Sequence, residues 1–143
     1  MVFQFSLETV LRLRRSEQQQ QEMTLQRLSE QANRIEVELQ AIDDQIRRLS
    51  RQANSERGTT GAEIHFDQER CEIFRQRRNE TEGRLLVVRQ QQAVAVKQFH
   101  RTWQRREALE SLQQRQHQAY DLEEVRKEQR SHDDLFLQRK RKG

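Results

Sequence analysis

Apolar residues recur along the first third of the chain at alternating spacings of three and four residues. The series runs Leu25, Leu28, Ala32, Ile35, Leu39, Ile42, Ile46, Leu49, Ala53. This is the spacing of the a and d positions of a coiled-coil heptad, which form one narrow apolar stripe along a helix. The pattern predicts a long first helix, from about residue 6 to about residue 57, that packs on a partner helix.

A second series with related spacing follows a turn-like segment at residues 57–61, where Thr60 and Glu63 have the spacing of a helix capping box. No proline occurs in the chain, and Gly83 is the only helix-weakening residue between this turn and the C-terminus. We therefore predict a turn at about 58–61, a second helix from about 62 to about 137, and a basic tail at 138–143. The second series is Ile64, Asp67, Cys71, Phe74, Arg78, Thr81, Leu85, Val88, Gln92, Ala95, Phe99.

Folding the chain at this turn brings the two stripes face to face. Such a fold pairs Ala53 with Ile64, Ile46 with Cys71 and Leu28 with Val88, and it places Arg14 near Trp103, within reach of a cation–π contact. The expected structure is all-α: a single domain, residues 1–143, in which two long helices form an antiparallel coiled-coil hairpin with the second helix longer. We expect this hairpin to be a monomer.

The same register leaves part of the second helix without a partner in the chain. Leu7 lies opposite about residue 110, so residues 111–137 extend past the first helix. This segment still carries apolar residues, among them Leu122, Val125 and Phe136. A helix with an unpaired apolar face indicates an external partner.

The composition fits a helix pair better than a globular core. Of 143 residues, 32% are hydrophobic and 35% charged, with a net charge of +4. Acidic residues alternate with basic ones at helical i,i+4 spacing almost everywhere, and residues 139–142 form the one basic cluster, which disfavours nucleic acid as a partner. The longest apolar run, residues 85–88, is far too short to insert into a membrane, and no signal peptide precedes it.

No arrangement of residues indicates an enzyme. No two of the four histidines lie within one helical turn of each other, adjacent carboxylates such as Asp133 and Asp134 point in different directions on a helix, and no glycine-rich phosphate loop is present. We expect no catalytic, metal or cofactor site. The lone Cys71 permits no intramolecular disulfide, which is consistent with the cytoplasm.

Two apolar residues near the turn fall outside the seam. Phe66 and Ile73 are seven residues apart and therefore share one outward face of the second helix. They are either an incidental exposed pair or a docking patch at the tip of the hairpin.

Two segments carry a resemblance to a known family. The first is residues 3–14; the second is residues 106–115 followed by residues 124–135, which contain Glu128-Gln129-Arg130 and Asp133-Asp134-Leu135. In these segments and in its layout, the chain resembles the FliJ proteins of the flagellar type III export apparatus and their relatives in virulence secretion.

The resemblance implies a cytoplasmic protein, peripheral at the inner membrane, that acts as a stalk between two export components. These are the hexameric export ATPase and the cytoplasmic domain of the export-gate membrane protein; export chaperones are a third expected partner. A virulence-secretion stalk and a generic coiled-coil tether or adaptor are the alternatives. The partner-binding residues expected from the resemblance and the exposed apolar faces are Phe66, Ile73, Leu122, Val125, Glu128, Gln129, Asp133, Asp134, Leu135 and Phe136.

Overall fold

The protein consists of two helices, and the second is the longer. In the computed structural model, which describes residues 2–55 and 60–142 (without the side chains of residues 54 and 55), α1 spans Glu8–Ser55 and α2 spans Gly61–Lys142. The described residues contain no strand. The all-α prediction with a longer second helix is thus confirmed, and α2 continues past its predicted end, through the basic cluster to Lys142.

The two helix starts differ in how they are capped. At α2, the Glu63 amide donates to the Thr60 hydroxyl at 3.4 Å, the first half of a capping box. At α1, Ser6 lies in a turn that precedes the helix, and the Glu8 amide donates to the carbonyl of Phe5 at 3.1 Å. Phe5 is buried, whereas Val10 is more than one-third exposed. The predicted turn at 58–61 lies mostly outside the described residues.

The chain forms two compact units, each built from one stretch of α1 and one stretch of α2. Unit 1 comprises Met1–Gln20 and Phe99–Gly143, and unit 2 comprises Gln21–Gln98. Within each unit the two stretches run antiparallel, because contacts that move forward along one helix move backward along the other. In unit 2, for example, Glu36 pairs with Arg89 and Asp43 with Arg78. The single-domain assignment for residues 1–143 stays a prediction.

Unit 2 contains the main apolar core. Leu28, Ala32 and Ile35 are buried together with Val88, and Leu85 and Ala95 pack against them. The three α1 residues are spaced by four and three, as the heptad pattern predicts. In unit 1, Phe5 and Leu11 are buried together with the polar residue Thr102, and unit 2 likewise buries Thr81.

The interhelical ion pairs are offset from the predicted pairing of residues. Leu28 and Val88, a predicted pair, do share the core. However, the Asp43 carboxylate, expected opposite residue 74, accepts a hydrogen bond from Arg78 Nε at 2.6 Å. Glu38, expected opposite residue 79, pairs with Arg84 at 3.3 Å. Each of these partners on α2 lies about one helical turn further along than the apolar pattern indicated.

The direction of side chains on a helix explains this offset. Side chains lean toward the helix N-terminus, so antiparallel partners that meet through long side chains have higher residue numbers than backbone positions at the same level. The ion pairs are therefore compatible with the apolar pairing that places Leu28 and Val88 in one core.

Candidate partner-binding surfaces

The C-terminal part of α2 carries an exposed apolar face. Leu122, Val125 and Phe136 in unit 1 are 53%, 50% and 65% exposed. With Gln129 and His132 they follow spacings of three, four, three and four residues, as the a and d positions of a coiled coil do. We call these five residues the C-terminal stripe. The apolar side chains of such a face stay in contact with water until another helix or protein surface packs on them.

This unpaired region begins later than the sequence predicts. The Gln113 amide donates to Glu8 Oε2 at 3.2 Å. The Phe3 ring lies 4.7 Å from the His117 ring and 5.5 Å from the Tyr120 ring. The expectation that residues 111–137 lack a partner is therefore wrong for residues up to Tyr120, because the residues preceding α1 also pack on α2.

The polar residues predicted near the stripe are exposed as well. Glu128, Gln129, Asp133, Asp134 and Leu135 are all exposed on α2. Among the described residues, Glu128, Asp133 and Asp134 have no ion-pair partner, whereas neighbouring Glu123 pairs with Arg130 at 2.8 Å. These carboxylates are therefore available to cationic or hydrogen-bond-donating groups of another protein.

A second surface lies on unit 2, where Phe66 and Ile73 are 58% and 52% exposed. The Arg70 guanidinium lies over the Phe66 ring at 5.7 Å from its centroid. This stacking limits the motion of the ring and places a positive charge beside it. The predicted pair thus forms an exposed apolar and basic patch on one side of α2.

The most densely hydrogen-bonded polar contact in unit 1 links α1 to α2 and was not predicted. Arg106 pairs with Glu110 at 2.7 Å and donates to Gln18 on α1, while Arg15 pairs with the same Glu110 at 3.2 Å. The Arg106–Glu110 spacing is visible in the sequence, but the contributions of Arg15 and Gln18 depend on the interhelical register.

The predicted contact between Arg14 and Trp103 does not occur in unit 1. Arg14 instead pairs with Glu17 on its own helix at 3.0 Å. Trp103 stacks on His100, with 6.0 Å between the ring centroids. Both residues therefore make local contacts within one helix rather than a contact across the seam.

The charge state of Glu110 makes unit 1 sensitive to acid. Burial raises the pKa of its carboxyl, but hydrogen bonds from Arg106 and Arg15 outweigh burial and hold the pKa below its ordinary value. A carboxyl whose pKa is lowered by folding stabilises the folded state above its unfolded pKa and loses that contribution as pH falls through the folded pKa. The loss therefore starts below about pH 4.3, the ordinary pKa of glutamate.

We expect Glu110→Gln to lower the free energy of unfolding by about 1 kcal/mol at neutral pH, because an ion pair with two arginines becomes a neutral hydrogen bond. Below pH 4 the difference between variant and parent is expected to shrink. Denaturant titrations at pH 7 and pH 3 measure both effects. Glu128→Gln is the control, because Glu128 is exposed and has no ion-pair partner among the described residues. A difference that stays constant with pH would contradict the role assigned to the Glu110 charge.

Neither unit shows a metal or membrane-spanning site in its described residues. No cluster of three or more potential metal ligands occurs there, and no described helix has a stretch apolar enough to cross a bilayer. His65 and His117 each face a carboxylate one turn away, Glu69 at 3.1 Å and Asp121 at 3.0 Å. Cys71 is half-buried and has a free thiol.

The comparison with protein families decides the identity of this helix pair. The family model of the flagellar FliJ protein matches residues 3–142, nearly the whole chain. The chain belongs to the FliJ family. No curated protein and no solved structure matches it.

Family membership makes this FliJ protein a component of the flagellar export apparatus, and its partners belong to that apparatus. The family consists of cytoplasmic structural components of flagellar export. The match covers both of the surfaces described above. Each is therefore a candidate contact with another export component.

Proposed function

We propose that this protein acts as a stalk between the hexameric export ATPase and the cytoplasmic domain of the export-gate membrane protein, and that it assists export chaperones. It has no catalytic activity of its own in this proposal. It acts at the cytoplasmic face of the inner membrane without inserting into it. The observation that carries the proposal is the C-terminal stripe, an exposed heptad face on a helix end whose described residues are all exposed from Val125 onward.

The chemistry of the two surfaces suits two different partners. The C-terminal stripe has apolar residues at heptad spacing and lies beside Glu128, Asp133 and Asp134, exposed carboxylates with no ion-pair partner in the described part of the chain. We assign this end, together with the turn of α1 near residues 5–15, to the central pore of the ATPase ring. The Phe66 and Ile73 patch, which is apolar and flanked by Arg70, we assign to the gate protein.

Binding measurements with purified partners test this assignment. Leu122→Ser, Val125→Ser and Phe136→Ser together are expected to weaken binding to the export ATPase at least tenfold and to leave binding to the gate domain unchanged. Phe66→Ser with Ile73→Ser is expected to do the reverse. All five positions are at least half exposed, so the helices should fold in both variants.

Val37→Ser is the matched control, since Val37 is 71% exposed and belongs to neither surface. It should bind both partners as the parent does. If both surface variants weaken binding to the same partner, or neither weakens any binding, the assignment of the two surfaces is wrong.

A further inference from the structure

No packing contact within the described part of the chain requires a glycine at position 83. It lies inside α2, where glycine destabilises a helix by about 1 kcal/mol relative to alanine. A Cβ atom built at this position has no described heavy atom within 4 Å. Because glycine has no side chain, another molecule can approach the α2 backbone closely at this position.

Gly83 lies in a groove on unit 2, between α1 and α2. The α2 side of this groove contains Gly83, Val87, Gln90 and Val94, at spacings of four, three and four residues. Val87 and Val94 are more than half exposed. The α1 side is formed by Thr24, Arg27 and Gln31 with the edges of the buried core residues Leu28 and Ile35. We call this surface the Gly83 groove. The α2 residues of the groove have heptad spacing, which is the spacing expected where a third helix packs beside two others.

The C-terminal stripe matches this groove in length and spacing. The stripe from Leu122 to Phe136 and the groove from Gly83 to Gln98 extend over nearly the same number of helical turns. Both have apolar residues at heptad spacing with a glutamine amide near the middle, Gln129 in the stripe and Gln90 in the groove. Paired amides can hydrogen-bond to each other when buried together.

Charge selects the orientation. At the groove end near Gln98, Arg27 has no ion-pair partner among the described residues. At the other end Glu80 has none either, while the neighbouring Arg84 is paired with Glu38. The stripe begins within residues 121–128, which carry four acidic and two basic side chains, and the basic residues 139–142 follow its last residue. Complementary ends meet only when the stripe runs antiparallel to α2, and this arrangement places Phe136 over Gly83.

We propose that the Gly83 groove binds the C-terminal stripe of a second copy of this chain, antiparallel to the α2 that forms the groove. A second copy is needed because groove and stripe both belong to one unbroken helix, which cannot fold back on itself. The contact is one helix face long, smaller than a standard stable interface, so self-association is weak and depends on concentration. This inference does not rest on the stalk proposal, but ring insertion and self-association use the same residues and therefore compete.

Sedimentation equilibrium of the full chain over a range of concentrations tests the groove. Gly83→Gln places a side chain in the groove and is expected to weaken self-association at least tenfold, while the melting temperature stays equal or rises. Gly61→Gln is the matched control, because a Cβ there also meets open space but lies outside the groove. A parent chain that stays monomeric at every concentration, or a Gly83→Gln variant that associates as the parent does, overturns the proposal.

Cross-linking tests the orientation. In a Cys71→Ser background, a chain with Val87→Cys mixed with a chain carrying His132→Cys is expected to form a mixed disulfide dimer. Leu86→Cys in place of Val87→Cys should form at most a tenth as much, since Leu86 is as exposed but lies outside the groove. Equal yields from both pairs overturn the assigned contact.

Stimulation of the export ATPase separates this inference from the stalk proposal. Gly83→Gln leaves the C-terminal stripe intact and is expected to stimulate the ATPase at least as strongly as the parent does, because a second copy no longer occupies the stripe. A loss of self-association with normal stimulation supports the groove independently of the stalk. A loss of both in Gly83→Gln overturns the assignment of the groove to a second copy.

Discussion

Replacing Ile35 by aspartate is expected to lower the free energy of unfolding of unit 2 by about 3–5 kcal/mol. Ile35 is 3% exposed and belongs to the core formed with Leu28, Ala32 and Val88. The substitution removes buried apolar surface and leaves a carboxylate without a partner in an apolar site. Since this core is only one residue wide on each helix, no other layer can compensate for its loss.

Thermal and denaturant unfolding followed by circular dichroism measure this effect. Val37→Asp is the control, because Val37 lies close by on the same helix but is exposed, and substitutions at such surface positions change stability little. If the two variants unfold at the same denaturant concentration, Ile35 is not part of the core that stabilises unit 2.

Removing residues 130–143 is expected to abolish stimulation of ATP hydrolysis by the export ATPase while leaving both helices folded. All residues from 130 to 142 are exposed, and the one ion pair that the described part of this segment makes joins Arg130 to Glu123 within α2. Their removal therefore exposes no core, in keeping with the tolerance of helix ends to truncation. It takes away Phe136 from the C-terminal stripe and the carboxylates Asp133 and Asp134.

The measurement is the ATPase rate at saturating ATP with increasing amounts of the parent or truncated chain. The Phe66→Ser and Ile73→Ser variant is the control and should stimulate fully, because its substitutions lie on unit 2. Circular dichroism establishes that the truncated chain is helical. A folded, truncated chain that stimulates as strongly as the parent would contradict the assignment of this end to the ATPase.

Much of the two candidate partner-binding surfaces could be predicted from the sequence, because their apolar residues lie where the heptad pattern does not pair them with the other helix. Phe66 and Ile73 fall off the heptad stripe, and Leu122, Val125 and Phe136 lie on the part of the second helix that was predicted to extend past the first. In the structure all five are at least half exposed. Their partners could not be predicted from periodicity, since an apolar face specifies that something covers it but not what.

The limits of the unpaired segment depended on tertiary contacts. The sequence indicated residue 111 as its start, but Phe3 packs on His117 and Tyr120, and Gln113 reaches Glu8. Phe3 precedes α1, and helical periodicity does not describe residues outside a helix. The Gly83 groove likewise could not be predicted from the sequence, which indicates only that Gly83 destabilises the helix that contains it.

Sequence alone was enough to predict two long antiparallel helices, the second longer, with a narrow apolar seam. Heptad spacing, absence of proline and one short glycine-containing segment leave almost no other all-helical arrangement. The interhelical ion-pair partners, the Arg15–Arg106–Glu110 network and the grouping of contacts into two units emerged from the folded structure. These contacts depend on side-chain directions on two facing helices, which the periodicity of a single helix does not specify.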